Sequence, residues 1–231
     1  MPDLLEDLQV EIDGLRSEIT IARKNSRDFA KRHFNGPREI ALVFCLGRAA
    51  DTAEGCDFLA EAKLLPPLYS LTRSLLESLF WVSWIVKSDE NAQVFVEAPT
   101  HELKRHVRKN LRTGFGRVTD RVTGEDKTEE LLESDWSKGI SPRLRIEELA
   151  RASGLERLYT QLYGPLSMQA HGIVFGLKWG SAEEELLGVM ASAYTLLECV
   201  NLVVKTWIVK RKQTSPAETY AVLFPLRQGE A

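Results

Sequence analysis

The sequence has few cysteines and no recognisable metal-binding motif. Its three cysteines, Cys45, Cys56 and Cys199, are far apart and lie among Leu, Ala and Val. An odd number of isolated thiols favours free, reduced side chains, so we expect a cytoplasmic protein. The chain contains no C-x-x-C pair, no H-E-x-x-H motif and no dense cluster of His, Cys and Asp. These absences argue against a structural zinc site, and we expect neither a metal nor a cofactor.

The chain also lacks a strong net charge and an uninterrupted membrane-spanning segment. Its formal net charge is -3 over 231 residues, which argues against a protein that coats nucleic acid or membrane with its whole surface. The N-terminus is acidic from its third residue and has no basic region of the kind that precedes a secretory signal. The two most apolar stretches, residues 68–86 and 186–209, contain charged residues that would be costly in lipid. We therefore expect two buried core helices and no membrane association.

No segment alternates between apolar and polar residues as a strand does. Apolar residues instead recur at helical spacing, and Pro, Gly, Ser and Asp stand at the ends of the periodic segments. The predicted helices after the first cover residues 38–62, a stretch from Pro66, a stretch from Ser88 that Pro99 interrupts, residues 128–133, a stretch from Ser141-Pro142 to Gly154, the segment with Tyr163 and His171, and a long helix from Ser181 to about residue 212. The sequence thus predicts an all-α bundle of about seven helices.

The first helix has a heptad pattern. Its apolar positions are Leu8, Ile12, Leu15, Ile19, Ala22 and Phe29. Ile at position a and Leu at position d favour a parallel two-stranded coiled coil, so residues 1–36 form a candidate dimerisation helix beside a bundle domain of residues 37–231. The same stripe could instead pack on the core of its own chain.

Two polar motifs interrupt apolar helical stretches. Arg73 and Glu77 lie four residues apart on one face of the helix that begins at Pro66. They form either a buried ion pair that fixes helix packing or an anion clamp, in which Arg73 grips a phosphate and Glu77 orients it.

The second motif is Tyr163, Ser167 and His171, again at steps of four. These side chains share a face if the helix continues through Gly164-Pro165. We expect His171 to lie in an apolar setting, either as a core histidine that bonds to a carbonyl or to Tyr163, or as a general acid or base.

A basic segment breaks the acidic trend of the chain. Residues 101–121 contain seven Lys and Arg against one Glu and one Asp. This pattern indicates either a nucleic-acid surface or a solvated helix face that the acidic loop at 125–135 neutralises. The candidate nucleic-acid-binding residues are Lys104, Arg105, Arg108, Lys109 and Arg112.

The order of these motifs resembles a bacterial all-helical family of unknown function. The resemblance covers about residues 65–180 and includes R-S-L-L-E in an apolar helix, the basic helix, a lone Trp in a loop (Trp136), and Y-x-x-x-S-x-x-x-H-G. That family is similar to HEPN-like helical domains, which dimerise and often act as metal-independent ribonucleases in toxin and phage-defence systems. The resemblance implies a homodimer that acts on RNA.

The HEPN ribonucleases carry Arg and His in one short motif on a single helix. The nearest such pair here, Arg27 and His33, is one residue too far apart, so Arg73 and His171 would have to meet by folding. Two functional hypotheses follow. In the first, Arg73 holds a phosphate, His171 transfers a proton, and Glu77, Tyr163 and Ser167 orient them. In the second, the protein is a non-catalytic dimeric helical module that binds a partner or a small ligand, and the polar cluster is structural.

Overall fold

The prediction of an all-α fold is confirmed. A computed structural model describes residues 2–31, 36–136, 144–171 and 181–211. Its α-helices are α1 (Pro2–Lys31), α2 (Pro37–Glu61), α3 (Leu65–Ile85), α4 (Asp89–Arg112), α5 (Thr128–Glu133), α6 (Ile146–Ser153), α7 (Glu156–Leu158), α8 (Gly164–Ala170) and α9 (Ala182–Arg211). A π-helical segment, Tyr159–Tyr163, joins α7 to α8. The number of helical segments is close to the predicted seven, and the described residues contain no strand.

The chain forms two compact units, residues 1–92 with 145–231 and residues 93–144. In the first unit the long helices α1, α2, α3 and α9 pack together, and α6 and α8 pack on α3. The predicted boundary between residues 36 and 37 does not coincide with this division, because α1 belongs to the same unit as α2 and α9.

The heptad seam of α1 is buried in its own chain. Leu15 is fully buried, Ile12 and Ile19 are each 8% exposed, and the Phe29 ring lies 5.9 Å from the ring of Trp207 on α9. Of the two interpretations of the seam, the structure supports packing on the chain's own core. Self-association through another surface stays a prediction.

Central helix α3 starts with Pro66-Pro67 in its first turn, where a missing N–H costs no helical bond. It packs against α2, α9, α6 and α8. Leu68, Leu75 and Leu76 are fully buried, as the predicted central position requires. One face of α3 remains at the edge of this core and carries the polar motif described below.

The ends of two helices follow their sequence signals. Gly154 ends α6 in the left-handed conformation, with φ 78°, which glycine adopts without a steric cost. At the start of α9, Glu184 Oε2 accepts from Ser181 N at 2.7 Å and Ser181 Oγ accepts from Glu184 N at 3.2 Å. These two reciprocal bonds form a capping box at the predicted start of α9. The start signal Ser141-Pro142 lies outside the described residues.

Helix α9 has the length and mean hydropathy of a membrane-spanning helix, but half of its most apolar stretch is buried inside the protein. Its buried residues pack on α1, α2 and α3. This packing agrees with the prediction of a core helix.

Phe44 on α2 is apolar but 66% exposed, because its neighbours Cys45 and Leu46 face the core. The expectation that Pro99 interrupts its helix was wrong, since helix α4 continues through Pro99. Pro99 is exposed, so the helix absorbs the lost backbone bond on its solvent side.

The second unit contains the later part of α4, the following loop and α5. A single antiparallel bridge joins Thr119 to Asp126 in the loop. The Asp120 carboxylate accepts from the backbone N–H groups of Val122 and Thr123 at 2.8 and 2.7 Å, and these bonds lower the pKa of Asp120. The predicted short helix at residues 128–133 is confirmed.

Candidate functional site

The two polar motifs meet between α3 and the helix that packs on it. Helix α3 presents Arg73 and Glu77 one turn apart, and the π-helical segment and α8 present Tyr163 and Ser167 one turn apart. The helix continues through Gly164-Pro165, as the shared face requires, because Pro165 stands in the first turn of α8. A π-helical turn next to a polar cluster is frequent at functional sites.

Four side chains form the cluster, which we call the Arg73 cluster: Arg73, Glu77, Tyr163 and Ser167. Arg73 Nη1 donates to Ser167 Oγ at 3.3 Å, and the Tyr163 hydroxyl donates to Glu77 Oε1 at 3.2 Å. The Arg73 guanidinium lies 5.8 Å from the centroid of the Tyr163 ring, within the range of a cation–π contact. The two hydrogen bonds join residues that are 94 and 86 positions apart in sequence.

Arg73 keeps an unused hydrogen-bond donor. Its Nε lies 3.7 Å from Glu77 Oε1, an ion-pair distance that is too long for a hydrogen bond. Nε is buried and has no hydrogen-bond partner among the described residues. The side chains of Arg73 and Glu77 are 24% and 23% exposed, so solvent reaches the pair. Nε itself is sealed from solvent, so an anion would reach this donor only after the side chains around it move.

Burial raises the pKa of Tyr163, and the Glu77 carboxylate raises it further while Arg73 opposes the shift. The phenol therefore stays protonated at neutral pH and donates to Glu77. Its ring stacks on Tyr159, with centroids 4.9 Å apart and an interplanar angle of 22°. This stacking fixes the ring over which Arg73 lies.

The structure does not bring His171 into contact with Arg73. His171 follows the last residue of α8, and its backbone N–H donates to Ser167 O at 3.1 Å. Its side chain is exposed, so the expected apolar setting is wrong. His171 stands at the C-terminal end of α8. The catalytic role of His171 stays a prediction.

Sequence reasoning missed Tyr69, one turn before Arg73 on α3. Its hydroxyl donates to Glu185 Oε1 on α9 at 2.7 Å, and burial raises its pKa, with Glu185 adding to the shift. Tyr69 also lines a cavity of about 350 Å³ together with residues of α8 and α9. The signal was present, because Tyr69, Arg73 and Glu77 stand at steps of four.

The basic segment belongs to the second unit. Lys109 and Arg112 are exposed, whereas Lys104, Arg105 and Arg108 are half-buried. Arg105 Nη1 pairs with Glu102 at 2.5 Å, and Lys104 Nζ lies 5.8 Å from the Trp136 ring centroid. Part of the segment's charge is therefore engaged within the unit, and Lys109 and Arg112 are its most accessible cations.

No described group of three or more His, Cys, Asp or Glu side chains is placed to hold a metal ion. The Arg73 cluster itself offers one carboxylate, two hydroxyls and a guanidinium. A guanidinium repels cations and binds oxyanions, whereas the Glu77 carboxylate, 3.7 Å from Arg73 Nε, repels anions.

Comparison with protein families assigns the chain. Residues 39–184 match the model described as "Family of unknown function (DUF5677)". The chain belongs to this family. The match covers more than half of the chain and contains both polar motifs and the basic segment, which confirms the resemblance to an uncharacterised family. No curated protein and no solved structure matches the chain.

Proposed function

We propose that this family member is a HEPN-like, metal-independent ribonuclease whose Arg73 cluster binds a phosphate of RNA. The observation that carries the proposal is the state of Arg73. It is partly exposed, it has a donor without a hydrogen-bond partner among the described residues, and it sits among groups that orient it. Arginine in such a setting suits bidentate recognition of a phosphate.

The reaction needs no metal if the RNA supplies its own nucleophile. The 2′-hydroxyl attacks the adjacent phosphorus, its proton passes to a base, and the P–O5′ bond breaks as an acid protonates the leaving 5′-oxygen. A 2′,3′-cyclic phosphate and a 5′-hydroxyl result. In this scheme Arg73 stabilises the charge on the phosphate, and His171 transfers a proton.

Glu77, Tyr163 and Ser167 act as positioning residues in this scheme. Ser167 accepts from Arg73, and Glu77 holds both the Tyr163 hydroxyl and the guanidinium. His171 is four residues beyond Ser167, directly after the last residue of α8, and is exposed to solvent, so a bound RNA could reach it. Lys109 and Arg112 supply further phosphate contacts that do not depend on base sequence. A cytoplasmic toxin or phage-defence role, as a homodimer, is the biological setting that the HEPN resemblance favours.

A second candidate is a non-catalytic helical binding module. Glu77 favours it, because this carboxylate already offsets the charge of Arg73 and, through Tyr163, ties the π-helical segment to α3. In that case the cluster fixes helix packing and nothing is cleaved.

Cleavage of a labelled single-stranded RNA in the presence of EDTA separates the two candidates. We expect the wild type to cleave and both Arg73→Ala and His171→Ala to lose at least about 100-fold in rate, the usual contribution of a phosphate clamp or an acid–base group. Arg16→Ala is the matched control, since Arg16 is exposed and lies outside both the cluster and the basic segment. A His171→Ala protein of native stability and full activity would falsify the ribonuclease proposal.

RNA binding can be tested separately through the basic segment. Charge reversal of the two exposed candidate residues, Lys109 and Arg112, should weaken binding to any RNA sequence and flatten its salt dependence, because fewer counterions are released. Filter binding at several salt concentrations measures both the affinity and its salt dependence. Unchanged affinity in the double variant would remove this segment from the proposed RNA surface.

A further inference from the structure

A cavity lies beside the Arg73 cluster, between α3, α8 and α9. Its volume of about 350 Å³ lies within the range of small-ligand sites. Its walls are largely apolar and include Leu162, Leu166, Met168 and Val189. Met168 is 46% exposed, so the cavity is accessible from solvent. Its size and walls suit a flat, mostly apolar group.

The polar groups of the cavity are mainly hydrogen-bond acceptors. Glu184 and Glu185 from the first turn of α9 line it. Each uses one carboxylate oxygen internally, Glu184 for Ser181 N and Glu185 for the Tyr69 hydroxyl. The second oxygen of each carboxylate accepts no bond from a described residue. This pair repels phosphate and favours a group with N–H donors.

The cavity and the cluster share helices α3 and α8. Tyr69, which lines the cavity, is one turn from Arg73, a distance of about 6 Å along the helix axis. Ser167, which bonds to Arg73, stands between Leu166 and Met168, which line the cavity. The apolar cavity with its two carboxylates could hold the base of a nucleotide, and Arg73, one turn away, could hold its phosphate.

We propose that the cavity binds the base of a nucleotide whose phosphate lies at Arg73, and that it takes bases with an exocyclic amino group. This inference rests on the proposed function and names the substrate feature that the site reads. Adenine, cytosine and guanine each present an exocyclic amino donor, and a carboxylate accepts a hydrogen bond from such a donor. Uracil presents a carbonyl oxygen at the equivalent position, which the two carboxylates repel.

Gly188 on α9 provides a way to fill the cavity. It lines the cavity, and a Cβ added there would meet no heavy atom within 4 Å. Gly188→Leu should therefore occupy the space without disturbing the helix, since leucine also has the higher helix propensity. Gly188→Ala is the matched control, because it raises propensity but adds only a methyl group.

The test is calorimetric titration of the full chain with AMP and with UMP. We expect AMP to bind at least tenfold more tightly than UMP. Gly188→Leu should lower the affinity for AMP at least tenfold, whereas Gly188→Ala should change that affinity less than twofold. Glu185→Gln should reduce the difference in affinity between AMP and UMP, because the side-chain amide can donate a hydrogen bond to a uracil carbonyl oxygen. The same titrations with ten-residue 2′-O-methyl oligo(A) and oligo(U), which lack the attacking 2′-hydroxyl, should show the same preference for adenine.

Three outcomes overturn the inference: no AMP binding by the wild type, equal binding of AMP and UMP, or unchanged AMP binding by a folded Gly188→Leu protein. The base preference is measured on the wild type, so it holds as a test even if Gly188→Leu fails to fold. Cleavage by Arg73→Ala reports on the proposed function separately. If Arg73→Ala loses cleavage but the wild type binds AMP and UMP equally, only the cavity assignment is contradicted. If Arg73→Ala cleaves RNA as fast as the wild type, the ribonuclease proposal is contradicted.

Discussion

The arginines between α1 and α2 differ from Arg73 in how their donors are used. Arg16 pairs with Asp57 at 2.7 Å and with Glu61 at 2.6 Å. Arg23 pairs with Asp51 at 2.9 Å and with Glu54 at 2.5 Å. Each of these exposed arginines therefore has two carboxylate partners on α2.

Arg73 has one carboxylate at 3.7 Å and one hydroxyl at 3.3 Å, although it is more buried than Arg16 or Arg23. A buried cation that serves packing alone should be better compensated than an exposed one, since desolvation is costly. The opposite is found here. The ion pairs between α1 and α2 are consistent with a structural role, and the incomplete pairing of Arg73 is consistent with a site that binds an anion.

The largest expected change in the free energy of unfolding comes from a substitution in the buried core between α1 and α2. Leu15→Ala should lower the free energy of unfolding by about 2–5 kcal/mol, because the side chain is fully buried and leaves a cavity. Leu162→Ala is the matched control at the other interface. It lies half-exposed beside an existing cavity and should cost about 1 kcal/mol. Urea melts of both variants measure the contrast, and equal costs would mean that the two interfaces are equally tight.

Glu77→Ala should come next, at about 2 kcal/mol. The substitution removes the only carboxylate paired with Arg73 among the described ion pairs, and it leaves the Tyr163 hydroxyl without its acceptor. Because both side chains are partly exposed, water can replace some of the lost interactions. Thermal and urea melts measure this cost. A loss of 4 kcal/mol or more would instead favour the structural role of the cluster.

The core thiols predict a pH effect of intermediate size. Burial raises the pKa of Cys45 and of Cys56 from 9.0 to about 12. Above pH 9 the unfolded chain loses these protons while the folded chain keeps them, so stability falls as pH rises. The expected loss is about 1 kcal/mol per thiol between pH 9 and pH 10.

Urea melts at pH 9 and pH 10, compared with the Cys45→Ala/Cys56→Ala double variant, isolate the thiols from the tyrosines. The double variant should show a flatter dependence on pH. The same slope in both proteins would show that the thiols are not sealed in the core.

Arg23→Ala should have the smallest effect, below about 1 kcal/mol, because its pairs are exposed and screened by salt. RNA cleavage should not change. A melt and a cleavage assay on this variant, beside Arg73→Ala, show whether the two kinds of arginine differ in function as they differ in pairing.

Local signals in the sequence predicted the helices well. Ser181 and Glu184 marked the start of α9, and Gly154 marked the end of α6, because each of these signals acts within one helical turn. The effect of Pro99 was misjudged, since whether a helix tolerates proline depends on the exposure of that turn. The heptad pattern of α1 correctly predicted a helix with a buried apolar face. It did not indicate whether that face packs on the same chain or on a second copy.

The candidate site was only partly predictable. Steps of four placed Arg73 with Glu77, and Tyr163 with Ser167, on shared faces, and folding brought the two faces together. The exposure of His171 depends on where α8 ends, which its apolar neighbours in sequence concealed. The cavity near Tyr69 depends on the packing of three helices, and no local pattern contains that information.

The central claim is that the Arg73 guanidinium binds a phosphate of RNA. Its most direct test is the ¹⁵Nε–Hε NMR signal of Arg73, assigned with Arg73→Lys, as a short non-hydrolysable 2′-O-methyl RNA is titrated into the protein. We predict a downfield proton shift that saturates with the RNA, while the Arg16 signal stays in place. A saturating RNA complex in which the Arg73 signal does not move would contradict the account.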